Sequence, residues 1–381
     1  MTGTFSSVKS EQDRMAYTRA LLSGTGTGAL AQSRGLRRLR GNREGNVLLG
    51  ALLHAGARLD AGLTLTDLEQ RVVDAVAKYV PPAELRAFGR AYVEARAAGP
   101  IAMLPESVTR RPVETGYTIA EFKDDLPAIA RQVVAQPNVQ IIDVSKHADT
   151  DTFDTEQFTA AMAEHGRGIT ILTGPPAPVD TQGLLNVRLR MLKFQCVRES
   201  GEVGRDEIFW GVSAGSDTTA KKSFKTREYG ATSSGDWHTF DYDYNAGQTY
   251  AFVSTVDQHL TTEFQCWEAD DSSGGFYNDL RGALADFAEA AADVSTDITA
   301  SADDAERKAA GWSAWLALGA GLINAILGWI TNDDDLVCER SIGYDRAALL
   351  ALRNRPGREG YYNFDGGGGG HHRLYLATNE F

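Results

Sequence analysis

"VRLRMLKFQCV", residues 187–197, is the stretch on which the reading of the fold turns. Val187, Leu189 and Met191 alternate with Arg188 and Arg190. A two-residue period of this kind belongs to a strand with one buried and one solvated face. "DEIFWGVSAG", "WHTFDYDY", "QTYAFVSTVD" and "TTEFQCWEADD" follow, divided by Gly, Asp and Ser clusters. Short strands with turn signals between them predict an antiparallel β-sandwich over residues 184–381. "HHRLYLA" (371–377) supplies a last strand, and the pentaglycine before it reads as a flexible hairpin loop.

Upstream the texture differs. Residues 1–100 read as helical. "TDLEQRVVDAVAKYV" (66–80) has Thr66 as N-cap with Glu69 three residues on, a capping box, and Val72, Val73, Val76 and Val80 then recur at helical spacing. "PPAELRAFGRAYVEARAAGP" (81–100) opens on prolines and closes on Gly-Pro, the marks of a bounded helix. The arginines of "RGLRRLRGNR" (34–43) read as a solvated turn or as partners of internal acids. Residues 101–183 look mixed: "VQIIDVS" and "GITILTG" are apolar runs around a helical "TEQFTAAMAEHG", a β-α-β order with Asp154 as the helix cap. The expected fold class is therefore α+β. A helical region (1–100) and a small mixed segment (101–183) precede the sandwich (184–381), which carries a helical hairpin inserted at 276–330.

Bulk chemistry narrows the function. The chain has 381 residues, 43% hydrophobic and 23% charged, and a net charge of -13. That balance suits a folded acidic protein and argues against nucleic acid as a partner, because phosphate contacts need a basic surface. The three cysteines, Cys196, Cys266 and Cys338, form no metal-binding spacing and no disulfide framework. Pairing any of them with His238 or His259 has no local motif behind it, and H-E-x-x-H is absent. A non-enzymatic protein is expected. The N-terminus lacks a basic, apolar and small-residue series, so the chain is expected in the cytoplasm or exported without a cleavable signal peptide.

Three acidic clusters stand at element ends: Asp206 with Glu207, Asp270 with Asp271, and Asp333, Asp334 and Asp335. Brought together by sandwich loops, they would repel one another unless a hard cation such as Ca²⁺ took six to eight of their oxygens. This arrangement resembles C2-type domains over residues 184–381. That resemblance implies Ca²⁺ at these seven acids and docking on an anionic membrane or a protein partner. The stretch "MLKFQCVRESGEVGRDEIF" is also similar to the opening of a bacterial domain family.

Ala309 to Ile330 contains no charge and is long enough to cross a bilayer core of ~30 Å. Trp312, Trp315 and Trp329 sit near its ends, as at membrane interfaces. Its bulky residues gather on one helical face and its small ones on the other, which suits a buried hairpin leading into "TNDDDLV". The competing expectations are a membrane-inserting toxin or effector that exposes the 276–330 hairpin, and a structural or assembly protein.

Overall fold

Helix α2 (Asp67–Val76) begins where the capping box places it: the Thr66 hydroxyl accepts from the Glu69 backbone N–H and the Glu69 carboxylate accepts from that of Thr66. The computed structural model describes residues 10–23, 34–77, 80–147, 151–174, 183–201, 204–218, 220–240, 249–269, 336–353 and 359–378. By backbone contacts the chain divides into two units between Val133 and Val134.

The first unit is helical, as the sequence predicts. Its central helix, α1 (Val47–Asp60), is buried along most of its length. Helix α3 (Pro82–Ala98) lies against it with the backbones touching, because a Cβ on Gly89 would stand 2.1 Å from the carbonyl carbon of Gly56. The arginine run forms a short helix (Arg34–Arg40) whose Arg38 is buried rather than a solvated turn. Glu69 does more than cap. Its carboxylate lies 2.9 Å from His54 Nδ1 and 3.0 Å from Arg58 Nε, and accepts from the Tyr117 backbone N–H at 3.1 Å.

The second unit is built from two sheets. The first sheet runs β1 (Val139–Asp143), β2 (Arg167–Thr173), β10 (Leu336–Asp345), β9 (His259–Glu268), β4 (Asp206–Ser216), β5 (Lys221–Lys225), with β6 (Tyr229–Thr232) also on β4. The second runs β11 (Glu359–Asp365), β12 (His371–Thr378), β3 (Leu185–Arg198), β7 (Trp237–Thr239), with β8 (Tyr250–Val256) on β3. Most ladders are antiparallel, but β2 pairs in parallel with both β1 and β10. The predicted border at 183 is therefore crossed by a hydrogen-bonded ladder, and the β-α-β segment extends the sheet formed by the later strands. No local pattern near residue 183 signals a partner strand that starts at residue 336.

Side chains from both sheets meet in one core. Trp210 of β4 meets the Phe364 ring of β11 edge-on at 4.8 Å and Phe194 of β3 at 5.7 Å. Each such side chain contributes roughly 1.5–3 kcal/mol on burial, so this aromatic seam dominates the packing of the unit. The alternation in β3 holds only to Met191. Pairing with β12 steps from Leu376↔Met191 to Tyr375↔Lys193, so Leu192 is an extra, bulged residue. Beyond it Phe194 and Cys196 take over the inward positions, and Lys193 and Gln195 the outward ones.

Helix α4 (Glu156–His165) corrects a further expectation. Its cap is Thr155, whose hydroxyl accepts from the Phe158 N–H at 3.1 Å, and not Asp154. Asp154 is instead buried in an ion pair with Arg340 of β10. The pentaglycine joins β11 to β12 as an antiparallel hairpin, with a short 3-10 turn at Gly367–Gly369. The 276–330 hairpin lies outside the described residues. Among the described residues no helix is long and apolar enough to cross a membrane.

Candidate functional site

Of the seven acids singled out in the sequence, Asp206 and Glu207 lie among the described residues, both on β4. Asp206 opens β4 pointing inward, where its two oxygens accept from the Ser200 backbone N–H and hydroxyl, each at 2.8 Å. Glu207 follows on the strand, faces the other way and is exposed, since successive strand residues alternate sides. Asp270, Asp271, Asp333, Asp334 and Asp335 lie outside the described residues, as do Trp312, Trp315 and Trp329. Among the described residues no three His, Cys, Asp or Glu side chains are grouped so as to hold a metal ion.

The three thiols are buried and free. Burial, reinforced by Asp206, pushes the Cys196 thiol up to about 12, and burial pushes Cys266 well above the ordinary thiol range. Both stay protonated and are poor nucleophiles at neutral pH. His238 stacks on Phe194 at 4.9 Å with Nε2 3.1 Å from the Thr232 hydroxyl. His371 and His372 point to opposite faces: Nε2 of His371 lies 2.9 Å from Asn363 Oδ1, while His372 is fully buried and held neutral, with its pKa lowered to about 3 by burial.

What the structure does assemble lies on the outer face of the second sheet. The register sets Tyr361, Tyr375, Lys193 and Thr239 in one row across β11, β12, β3 and β7. The next row is Asn363, Arg373, Gln195 and Trp237. The Tyr361 and Tyr375 rings are 5.4 Å apart, and those of Tyr375 and Trp237 are 5.3 Å apart. Cations sit among them: Lys193 Nζ is 4.8 Å from the Tyr375 centroid and 5.3 Å from that of Trp237, and Arg373 is 4.8 Å from Tyr361. Burial raises the Tyr375 phenol, so it remains uncharged. Trp237 is 51% exposed, a large apolar side chain offered to solvent. Farther along β3, Arg188 is exposed and Arg190 half-buried on the same side. At the borders of these rows Glu359 pairs with Lys193 at 2.9 Å and Asp365 with Arg198 at 2.7 Å.

The bulge at Leu192 makes this face. Without it Lys193 would point into the core and Phe194 outward, and the cation could not reach the rings of β7 and β12. The alternation of Arg188 and Arg190 signals part of the face in the sequence. The aromatic members come from strands near residues 237, 361 and 375, and only the pairing brings them together. No protein-family model, no curated protein and no solved structure matches the chain.

Proposed function

We propose that this chain is a non-enzymatic binding module whose outer face of the second sheet docks on an anionic membrane surface. The carrying observation is the pair of cross-strand rows in which Trp237, Tyr375 and Tyr361 interleave with Lys193 and Arg373. Trp and Tyr favour the membrane–water interface, where an apolar ring and a polar tip are both solvated. Each nearby Lys or Arg adds about 1 kcal/mol of attraction to an anionic surface. Arg188, Arg190, Lys193 and Arg373 gather on a chain whose net charge is -13. Repulsion from the rest of the surface then turns this face toward the bilayer. Two sheets sharing one core are compatible with the C2-like reading, although the parallel β1–β2–β10 ladders depart from it.

The experiment is sedimentation of the full chain with vesicles of phosphatidylcholine, with and without phosphatidylserine. Binding is expected to the mixed vesicles, to fall with added salt, and to drop about tenfold or more on reversing Lys193 and Arg373 to Glu. Equal binding to pure phosphatidylcholine, or binding indifferent to the reversals, would sink the reading. Ca²⁺ is a separate proposal. Asp206 is engaged by Ser200, and docking through this face uses no cation ligand, so a chelator should leave vesicle binding unchanged. A loss of binding on chelation would instead favour Ca²⁺ at the acidic loops.

A further inference from the structure

A third row completes the outer face of the second sheet. Asp365 of β11, His371 of β12 and Arg198 of β3 stand opposite one another, next to the row of Asn363, Arg373, Gln195 and Trp237. His371 shares its side of β12 with Arg373 and Tyr375, since alternate residues of a strand face the same way. Its side chain is 11% exposed, so solvent protons reach it.

The bonds around the ring fix its tautomer. Asn363 Nδ2 donates to Asp154 Oδ2 at 3.0 Å, which orients the amide and turns Oδ1 toward the ring. Asn363 Oδ1 accepts from Arg373 Nε at 3.3 Å and lies 2.9 Å from His371 Nε2. In the neutral ring Nε2 therefore carries the hydrogen, and Nδ1 presents a lone pair. Nδ1 lies 3.6 Å from Asp365 Oδ2. Two acceptors confront each other there as long as His371 is neutral. The other oxygen, Asp365 Oδ1, is engaged by Arg198 Nη2 at 2.7 Å and by the Gly367 N–H at 3.0 Å. A proton on Nδ1 turns the opposed acceptors into a charge-assisted hydrogen bond. It also adds one positive charge to the face that holds Lys193 and Arg373.

We propose that His371 regulates the docking face by acid: protonated at Nδ1, it closes on Asp365 and strengthens binding to an anionic membrane. This rests on the docking role proposed above and adds its control. The groups facing the ring set where it titrates. Burial weighs most against the proton; Asp365 of β11 favours it, Arg198 of β3 and Arg373 of β12 oppose it, and Asp154, just ahead of α4, favours it. The outcome is a pKa below the ordinary histidine value. His372, the next residue, faces the core and stays neutral. Docking and protonation are reciprocal, so an anionic surface that gains from the charge also helps to hold the proton. One further charge near such a surface corresponds to about fivefold in affinity.

The test is sedimentation of the full chain with phosphatidylcholine–phosphatidylserine vesicles from about pH 7.5 to about pH 4.5, a window spanning a lowered histidine pKa. The unsubstituted protein is expected to gain about fivefold more affinity on acidification than His371→Gln, which cannot ionise. In Asp365→Asn, a separate variant, the rise should move to lower pH. A ring-nitrogen NMR titration without vesicles is the second measurement. It should show His371 as the Nε2–H tautomer when neutral, with a pKa that falls further in Asp365→Asn. Identical pH profiles for the unsubstituted protein and His371→Gln, or an Nδ1–H tautomer in the neutral ring, overturn the switch. Docking itself then stands if reversing Lys193 and Arg373 to Glu still removes binding. Binding indifferent to those reversals overturns the docking role, and the switch with it.

Discussion

Arg340 grips Asp154 with both ends of its guanidinium: Nη1 to Oδ2 at 2.7 Å and Nη2 to Oδ1 at 2.6 Å, with neither side chain exposed. The same arginine donates to the Asn363 carbonyl at 3.0 Å and the Thr170 hydroxyl at 2.6 Å, and lies over the Phe158 and Tyr362 rings. One side chain thereby joins β10, β2, β11 and the start of α4. Removing one member of a buried pair strands the other, at about 3–5 kcal/mol. Arg340→Met is expected to lose that much, read as a fall in the urea midpoint. Asp154→Leu added to it should recover part of the loss, because no buried charge is then left alone.

Acid reaches the same pair. Burial alone would raise the Asp154 acid, but Arg340 and hydrogen bonds from Asn363 and Gln140 outweigh it and hold the pKa below the usual range. Its contribution is complete above the unfolded value of about 3.9 and is lost as pH falls toward the depressed folded value. Asp154→Asn should be less stable than the unsubstituted protein at neutral pH, and the gap should narrow below about pH 4. A gap that stays constant across that window would show that the charge is not what holds the network.

Glu263 has the opposite sign. Its folded pKa is raised by burial and then by the neighbouring Glu339 carboxylate, so its contribution is greatest below the unfolded value of about 4.3 and declines as pH climbs toward the folded value. Glu263→Gln keeps the shape and cannot ionise. Its stability should vary less between about pH 5 and pH 8 than that of the unsubstituted protein, followed by chemical unfolding at each pH. Parallel curves would mean that Glu263 is ionised in the fold.

In the helical unit the capping box predicts unequal losses. Thr66→Ala removes the cap bond and the hydroxyl's bond to the Tyr117 carbonyl, and should cost about 1–2 kcal/mol. Glu69→Ala strands His54 Nδ1 and the backbone N–H groups of Thr66 and Tyr117, leaves Arg58 only the Val113 and Thr64 carbonyls with no carboxylate, and should cost about 3–5 kcal/mol. Far-UV circular dichroism in urea separates the two. Equal losses would reduce Glu69 to a cap.

These networks mark the limit of what the sequence reveals. Thr66 and Glu69 are three residues apart, so their role is visible in local spacing. Asp154 looks equally like a cap, but its partner is Arg340, 186 positions away, and Thr155 supplies the capping oxygen one residue on. Glu263 and Gln265 alternate with Phe264 and Cys266, which in sequence signals one wet face. Both faces of β9 are in fact buried. Alternation shows that two faces differ in chemistry, and it cannot show that the polar one is covered. The basic face fails for a related reason, since one bulged residue, Leu192, reverses the inward set and leaves no mark in composition.

The pentaglycine is the last case where spacing alone misleads. It reads as a uniformly flexible loop, yet its members differ. A Cβ on Gly366 would lie 2.0 Å from the Val337 carbonyl oxygen, and backbone cannot move aside as a side-chain tip can. Gly370 has φ +110, where other residues are strained. A Cβ on Gly368 meets nothing within 4 Å. Gly366→Ala should therefore cost about 1–3 kcal/mol by crowding β10 against the hairpin. Gly368→Ala should be neutral or add up to about 1 kcal/mol by restricting the unfolded chain. Thermal unfolding of the two single variants decides the matter. If both lose stability alike, the close approach of Gly366 to Val337 is not what fixes the turn, and the five glycines act together.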